Sequence, residues 1–304
     1  MEIRGLGQAD DSPITKTAAW LATATTVLMK EPVFARLLAD PLARAFAEGV
    51  SPVAAERLAE LDDPTRRYAW IREAEETARG CVGVCVYRKL WFRDRVREAL
   101  EEGATQLVIL GAGCDTLSVR LAELGMRPTV FELDRPAMTD LRAEVLGKSG
   151  VDLRRVRQVP VDFDNQDFRT ELARNGYDAK QPTVFVAEGV LEYLEEQAID
   201  DIFAFVRAVD DHQGVIVHSF IEDVGGQSGA AASATRQLPG EPWRFAVDPA
   251  EIGRWHAERG LALRTVATAR EIENDLMRKI EYPPGHPPLG VTPFLHFAVA
   301  GAAD

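Results

Sequence analysis

Two glycines, Gly111 and Gly113, break the stretch LVILGAGCDTLSVRL where an apolar run gives way to an amphipathic one. Glycine lets the chain turn tightly and brings backbone against a ligand with no side chain in the way. A strand that hands over to a helix through such a corner is the usual seat of a nucleotide-like cofactor. The dinucleotide pattern G-x-G-x-x-G is incomplete here, because Thr116 holds the third glycine's place. Asp115 stands beside it. A carboxylate at that helix start repels a pyrophosphate but accepts hydrogen bonds from an ammonium or a ribose hydroxyl. These residue types point to a cationic or zwitterionic cofactor.

Further carboxylates follow at suggestive positions. In VFELD, roughly twenty residues after Gly111, Glu132 and Asp134 share one face of a strand, where an α/β site presents an acid to ribose hydroxyls. Asp134, at the strand's end, is the first choice and Glu132 the reserve; the plainer alternative is that both cap the helix that begins at Pro136. Glu188 follows PTVFVA, a run too apolar for an exposed strand, so its carboxylate belongs at the strand's rim or is badly buried. Tyr193, in LEYL, lines a substrate cavity or fills core. A phenolic acceptor would benefit from a general base, and His218, ending GVIVHSF, is the best placed histidine. Its plainer alternative is a satisfied histidine on a buried strand. His256, on a helix, and His286, in a proline-rich loop, have weaker claims.

The elements that must position these groups fall into two stretches. Residues 13–102 hold helix-forming segments with hardly any strand alternation. SPITKTAAWLATATTVLMK opens on a Ser-Pro start signal; DPLARAFAEG has Asp40 as cap, Pro41 at the first helical position and Gly49 as stop. Short apolar runs then alternate with amphipathic ones from QLVIL to GVIVHSF, the rhythm of a parallel, doubly wound sheet covered on both faces. A Gly-, Ser- and Ala-rich insert at about 221–247 reads as a loop or short helical insert near the ligand end. A helix in DPAEIGRWHAERG, from Asp248 and Pro249 to Gly260, and two strands, LALRTVATA and TPFLHFAVA, complete the chain. The expected organisation is a helical N-terminal cover, 1–102, and a cofactor-binding α/β domain, 103–304, with no linker polar enough to make them independent.

Composition narrows the function classes. The 304 residues carry 35 Lys plus Arg against 48 Asp plus Glu, a formal charge of -13, which disfavours a nucleic-acid partner in the absence of a basic patch. YRKLW and RDRVREAL form the densest basic stretch, but acids are interleaved at helical spacing. Cys81, Cys85 and Cys114 make no zinc-like quartet with histidines, so no metal is expected; Cys81 and Cys85, four apart, read as small buried groups on one helix face. The opening residues lack a hydrophobic signal core and no run of about 18 apolar residues occurs, so the expectation is a cytoplasmic protein without membrane association.

Taken in order, GAGCDTLSVRL, VFELDRP, PVDF and PTVFVAEGVLEYL resemble the leucine carboxyl methyltransferase-like branch of the class I S-adenosylmethionine-dependent methyltransferases, which includes bacterial O-methyltransferases of polyketide biosynthesis. The resemblance covers about residues 15–220. It implies a Rossmann-like doubly wound α/β sheet with a final antiparallel strand, S-adenosylmethionine as cofactor and a small-molecule acceptor. Residue by residue, it implies that Arg88 pairs with the methionyl carboxylate, that Gly111 and Gly113 hug the cofactor, and that Asp134 binds the ribose. It further implies that Asp162 and Phe163 contact adenine and that Glu188 faces the methionyl amino group. A guanidinium suits the first task because it grips a carboxylate bidentately.

The chain departs from the family's pattern in two places. Arg88-Lys89-Leu90 stands where Arg-Thr-Arg is usual, and Asp115-Thr116-Leu117 lacks the arginine that usually follows Asp-Thr. The expected consequence is one fixed cation fewer beside the site. Two other readings of the same residues stay open: an enzyme that uses S-adenosylmethionine for a reaction other than methylation, and an NAD-dependent oxidoreductase, against which the missing third glycine and Asp115 both argue. The reading carried forward is an O-methyltransferase acting on a carboxyl or hydroxyl oxygen of a polyketide-type acceptor.

Overall fold

The computed structural model describes residues 16–50, 54–150, 152, 154–163, 166–209, 213–222 and 243–303. Most of the insert expected at 221–247 and the Ser-Pro signal before the first helix lie outside those residues.

Helices come first: α1 (Lys16–Leu28), α2 (Pro32–Leu38), α3 (Ala43–Val50), α4 (Ala54–Glu60), α5 (Pro64–Thr77) and α6 (Val84–Glu101). Strands and helices then alternate through β1 (Gln106–Leu110), α7 (Leu117–Glu123), β2 (Thr129–Asp134), α8 (Pro136–Lys148), β3 (Val156–Pro160) and α9 (Phe168–Arg174). β4 (Thr183–Ala187), α10 (Glu196–Arg207) and β5 (Gly214–Ile221) follow. The chain ends with α11 (Ile252–Ala257), β6 (Leu261–Ala267), α12 (Ala269–Asp275) and β7 (Leu295–Ala302).

The strands form one sheet in the order β3-β2-β1-β4-β5-β7-β6. β1 pairs in parallel with β2 on one side and β4 on the other, and β7 runs antiparallel between β5 and β6. The direction of strand order therefore reverses between β1 and β4, and a doubly wound sheet opens a crevice outside the strand ends at such a point. β1 and β4 are buried at every residue, as their unbroken apolar runs require of strands covered on both faces.

Alternation along the strands sorts the core into two layers. Leu107, Ile109, Val184, Val186 and Val217 pack on one face with Phe34, Phe46, Tyr87 and Phe92 from the N-terminal helices. Val108, Leu110, Phe131 and Phe185 pack on the other with Ile199 and Phe203 from α10. The N-terminal helices thus share a core with the sheet they cover.

One helix boundary differs from the reading of DPLARAFAEG. α3 begins at Ala43 and runs through Gly49 to Val50. Asp40 does not cap it: the Asp40 side chain is buried, and its Oδ2 accepts a hydrogen bond from Lys89 Nζ at 3.3 Å. A buried carboxylate is held better by a cation than by a backbone N–H group alone.

Candidate functional site

A cavity of about 460 Å³ opens where β1, β4 and β5 end, on the face covered by α1 and α6. Arg88, Gly111, Gly113, Asp115, Asp134, Asp162, Phe163, Glu188 and Tyr193 all line it. They come from five chain segments that only the fold brings together.

The glycine corner is backbone-driven. Gly111 has φ +61° and Gly113 φ +51°, left-handed values that other residues rarely adopt. At Gly111 a Cβ would also lie 2.7 Å from Val190 Cγ2, so the loop and the segment after β4 approach as closely as they do because no side chain intervenes. Gly113 N–H donates to Asp134 Oδ2 at 2.7 Å, and Arg135 N–H donates to Asp134 Oδ1 at 2.8 Å. Two backbone donors fix the Asp134 carboxylate at the end of β2 and leave lone pairs for a diol. Burial raises the Asp134 carboxyl above its ordinary value, against the pull of those donors.

Arg88 rises from α6 and Glu188 stands just beyond β4. Arg88 Nε donates to Glu188 Oε1 at 2.6 Å, with side chains only 14% and 10% exposed. Burial works against the Arg88 charge, but the Glu188 carboxylate outweighs it and the guanidinium is held more firmly protonated than usual. Gly189 follows Glu188 with φ +69°, and a Cβ there would come within 3.0 Å of Arg88 Nη1. This third glycine of the site escaped the sequence reading; the signal was its place directly after a rim acid in AEGV.

Asp115 lines the same cavity, but its carboxylate is engaged by the protein itself. Lys89 Nζ donates to Oδ2, Arg120 Nη2 lies 3.1 Å from Oδ1, and Leu117 N–H donates to Oδ1 at 2.6 Å. Burial pushes the Asp115 carboxyl up, and the two cations overcome it and hold it far below the usual range. Lys89 also reaches Asp40. The cation expected to be missing with Leu117 in place of arginine is thus supplied twice, by Lys89 and by Arg120 one turn further along α7.

Two candidates stand away from the cavity. Glu132 is fully buried, and its carboxylate meets Arg142 Nη2 at 2.7 Å, Ser118 Oγ at 2.6 Å and the Gln158 amide. It shares a face with Asp134, as alternation requires, yet lies beneath α7 and α8 and leaves the rim to Asp134. His218 points to the opposite face of the sheet, in register with Ala187. Its Nε2 lies 2.9 Å from His256 Nε2 among Phe203 and Trp255. Burial, and secondarily the His256 charge, push its pKa down to about 3. This is the satisfied buried histidine, out of reach of an acceptor in the cavity. His256 belongs to the same pair, and His286 packs among Phe34, Tyr68 and Tyr282. Cys81 precedes α6, with Sγ donating to Ala74 O at 3.2 Å, and Cys85 is buried inside that helix. The two do not form the single-helix pair that their spacing suggested.

A carboxylate missed in the sequence also lines the cavity. Glu192, one residue before Tyr193, is 4% exposed and accepts Ser219 Oγ–H at 3.3 Å, while Ser219 Oγ accepts Gly189 N–H at 2.8 Å. Burial raises its carboxyl.

The donor set fits S-adenosylmethionine. A guanidinium and a carboxylate side by side match an α-amino acid zwitterion, and Gly111 and Gly189 let the backbone close against Val190 and Arg88 where a Cβ would collide with them. The doubly anchored acid of Asp134 matches a ribose diol, and Phe163 offers a ring beyond it.

Comparison with known proteins points the same way. The leucine carboxyl methyltransferase family matches residues 15–207. A Mycobacterium tuberculosis protein provisionally named an S-adenosyl-L-methionine-dependent methyltransferase is 32% identical over 212 residues, 69% of this chain and 66% of that protein. A Mycolicibacterium paratuberculosis protein with the same provisional name is 28% identical over 211 residues, with the same 69% and 66% coverage. The matched region thus spans just under two thirds of these relatives. Among solved structures, a provisionally named methyltransferase from Thermobifida fusca superposes with a TM-score of 0.59 over 97% of each chain at 17% identity, a likeness of fold. By its match to the family over residues 15–207, the chain belongs to the leucine carboxyl methyltransferase family.

Proposed function

We propose that this chain transfers the methyl group of S-adenosylmethionine to an oxygen, carboxyl or hydroxyl, of a small natural-product acceptor of polyketide type. The observation that carries the reading is the Arg88–Glu188 pair beside the glycine cradle. In use, Arg88 turns to the methionyl carboxylate and Glu188 to the ammonium, so one ion pair becomes two charge-assisted contacts. Asp134 takes the ribose hydroxyls, and Asp162 and Phe163 take the adenine. Bound there, the cofactor supplies an electrophilic methyl group on a sulfonium.

The protein's share of the chemistry is placement and exclusion of water. In-line displacement at a sulfonium needs a nucleophile at near-attack distance, and positioning of that kind contributes on the order of 7 kcal/mol or more in favourable cases. The cover from α1 and α6, with Trp20, Tyr193, Trp243 and Phe294 on the walls, encloses an apolar chamber suited to that task. Family membership favours a methyl donor over a nicotinamide.

Calorimetric titration with S-adenosylmethionine, S-adenosylhomocysteine and NAD tests the cofactor assignment. Binding of the first two and not the third is expected, and binding of NAD alone overturns the reading. An acceptor screen by mass spectrometry then expects a gain of one methyl group. Turnover of the cofactor without that gain places the chain with enzymes that use the sulfonium for other reactions.

A further inference from the structure

Glu192 is a carboxylate set into the wall of the cavity without a cation of its own. Among the described residues no lysine, arginine or histidine lies within ion-pair distance of it; its side-chain partner is the Ser219 hydroxyl, at 3.3 and 3.4 Å from the two carboxylate oxygens. Ser219 is itself held, because its Oγ accepts Gly189 N–H at 2.8 Å. The chain Gly189 N–H to Ser219 Oγ–H to Glu192 thus ties this carboxylate to the residue directly after Glu188. The backbone is pinned as well: Arg244 N–H donates to Glu192 O at 2.7 Å, which brings Trp243 to the same wall, 5.5 Å ring to ring from Phe294.

Among the described residues, four cations on the cavity wall already have carboxylate partners. Arg88 pairs with Glu188, Lys89 with Asp40 and Asp115, Arg79 with Glu273, and Arg244 with Glu195. An acceptor arriving as a carboxylate would meet Glu192 and Glu188, both nearly buried, and like charges in such surroundings are costly. A neutral hydroxyl meets a ready acceptor for its proton.

We propose that Glu192 receives the proton of the acceptor's nucleophile, and that the acceptor is a neutral phenolic hydroxyl rather than a carboxylate. The inference rests on the methyltransferase reading above and selects between its two oxygens. In the balanced step, the O–H proton passes to a Glu192 oxygen while the oxygen's electron pair forms the new O–CH3 bond. The C–S electron pair returns to sulfur, so one anion and one cation are both neutralised. Ser219 is a positioning residue that holds the carboxylate toward the chamber. The groups facing Glu192 are Arg88 on α6, Glu188 beyond β4, Ser219 on β5 and the Arg244 backbone. Burial, the largest influence, raises its carboxyl and makes it a stronger base than an exposed glutamate.

The test uses binding rather than turnover. With S-adenosylhomocysteine present near pH 7, 2-naphthol is neutral and 2-naphthoate is ionised. The expected result is that the wild-type protein prefers 2-naphthol by roughly tenfold or more, the scale of one hydrogen bond to a charged group. Glu192→Gln should lose that preference, chiefly by gaining affinity for 2-naphthoate, and Ser219→Ala should reduce it in part. The S-adenosylhomocysteine affinity of each variant reports that it is folded. Equal binding of both probes, binding of neither, or a preference unchanged in Glu192→Gln overturns the proposal while leaving the cofactor assignment standing. A wild-type protein that does not bind S-adenosylhomocysteine removes the cofactor reading and the proposal with it.

Discussion

Arg88 and Glu188, 100 residues apart in the chain, meet at 2.6 Å on the wall of the cavity. Each is the counter-ion of the other until a zwitterion separates them. Removing either leaves a nearly buried charge without its partner and takes away one contact to the ligand. Arg88→Ala and Glu188→Ala should each weaken S-adenosylmethionine binding by more than about 1 kcal/mol, measured by calorimetry. Arg88→Lys should recover part of the loss, because an ammonium keeps the charge but not the fork. Unchanged affinity in both alanine variants would sink the assignment.

Gly111 carries two constraints at once, its left-handed φ and the Val190 side chain 2.7 Å from where a Cβ would sit. Gly111→Ala is expected to cost about 1–2 kcal/mol of stability through the backbone alone and to weaken the cofactor's binding further. Adding Val190→Ala should relieve the contact and recover some affinity, while the backbone cost remains. Thermal unfolding and cofactor titration of the single and double variants separate the two contributions.

Glu132 and Arg142 form an ion pair with both side chains 0% exposed. Truncating one partner strands the other, so Glu132→Ala or Arg142→Ala should lose about 3–5 kcal/mol in denaturant unfolding. Replacing both together should cost less than the sum of the single changes. Asp134→Asn, by contrast, should weaken cofactor binding more than it lowers stability. The opposite pattern would return the ribose to Glu132.

The buried imidazole of His218 makes stability depend on pH. Its folded pKa, about 3, lies below the ordinary 6.5, so the folded state keeps it neutral while the unfolded chain takes up a proton. The contribution is fully present above pH 6.5 and is lost as pH falls toward the folded value; at pH 5 the loss is about 2 kcal/mol. Unfolding free energy measured between pH 7 and 5 should fall less steeply in His218→Gln than in the wild type. Equal slopes would show that His218 is already solvated.

Asp115 also loses its contribution on acidification, in a lower pH window than His218. Its carboxyl is held below the ordinary 3.8 chiefly by Lys89 and Arg120 against the effect of burial, so its contribution is present above that value and fades as pH falls below it. Asp115→Asn should therefore destabilise the protein near neutral pH, and the gap to the wild type should narrow in strong acid. A gap that stays constant down to about pH 4 and narrows below it is the expected observation, and one that closes above pH 5 would contradict the double ion pair.

The amino-acid sequence by itself determined the strands, the helical stretch before them, the glycine corner and the motif order behind the family resemblance. Those signals are local: an apolar run marks a strand covered on both faces, and paired glycines mark a sharp backbone turn. The same locality explains what it left open. Period two tells which face a strand residue takes but not how deep along the strand the covering helices reach; Glu132 and Asp134 are about 7 Å apart along β2, and only helix placement makes one a structural ion and the other a rim acid. His218 required the register of β5 on β4, which sets it beside Ala187 on the far face and leaves Ser219, buried, on the face that carries the cavity. The cations on Asp115 come from α6 and α7, and the isolation of Glu192 depends on which side chains fail to reach it. Such properties belong to distances between remote segments, and tertiary packing alone decides them.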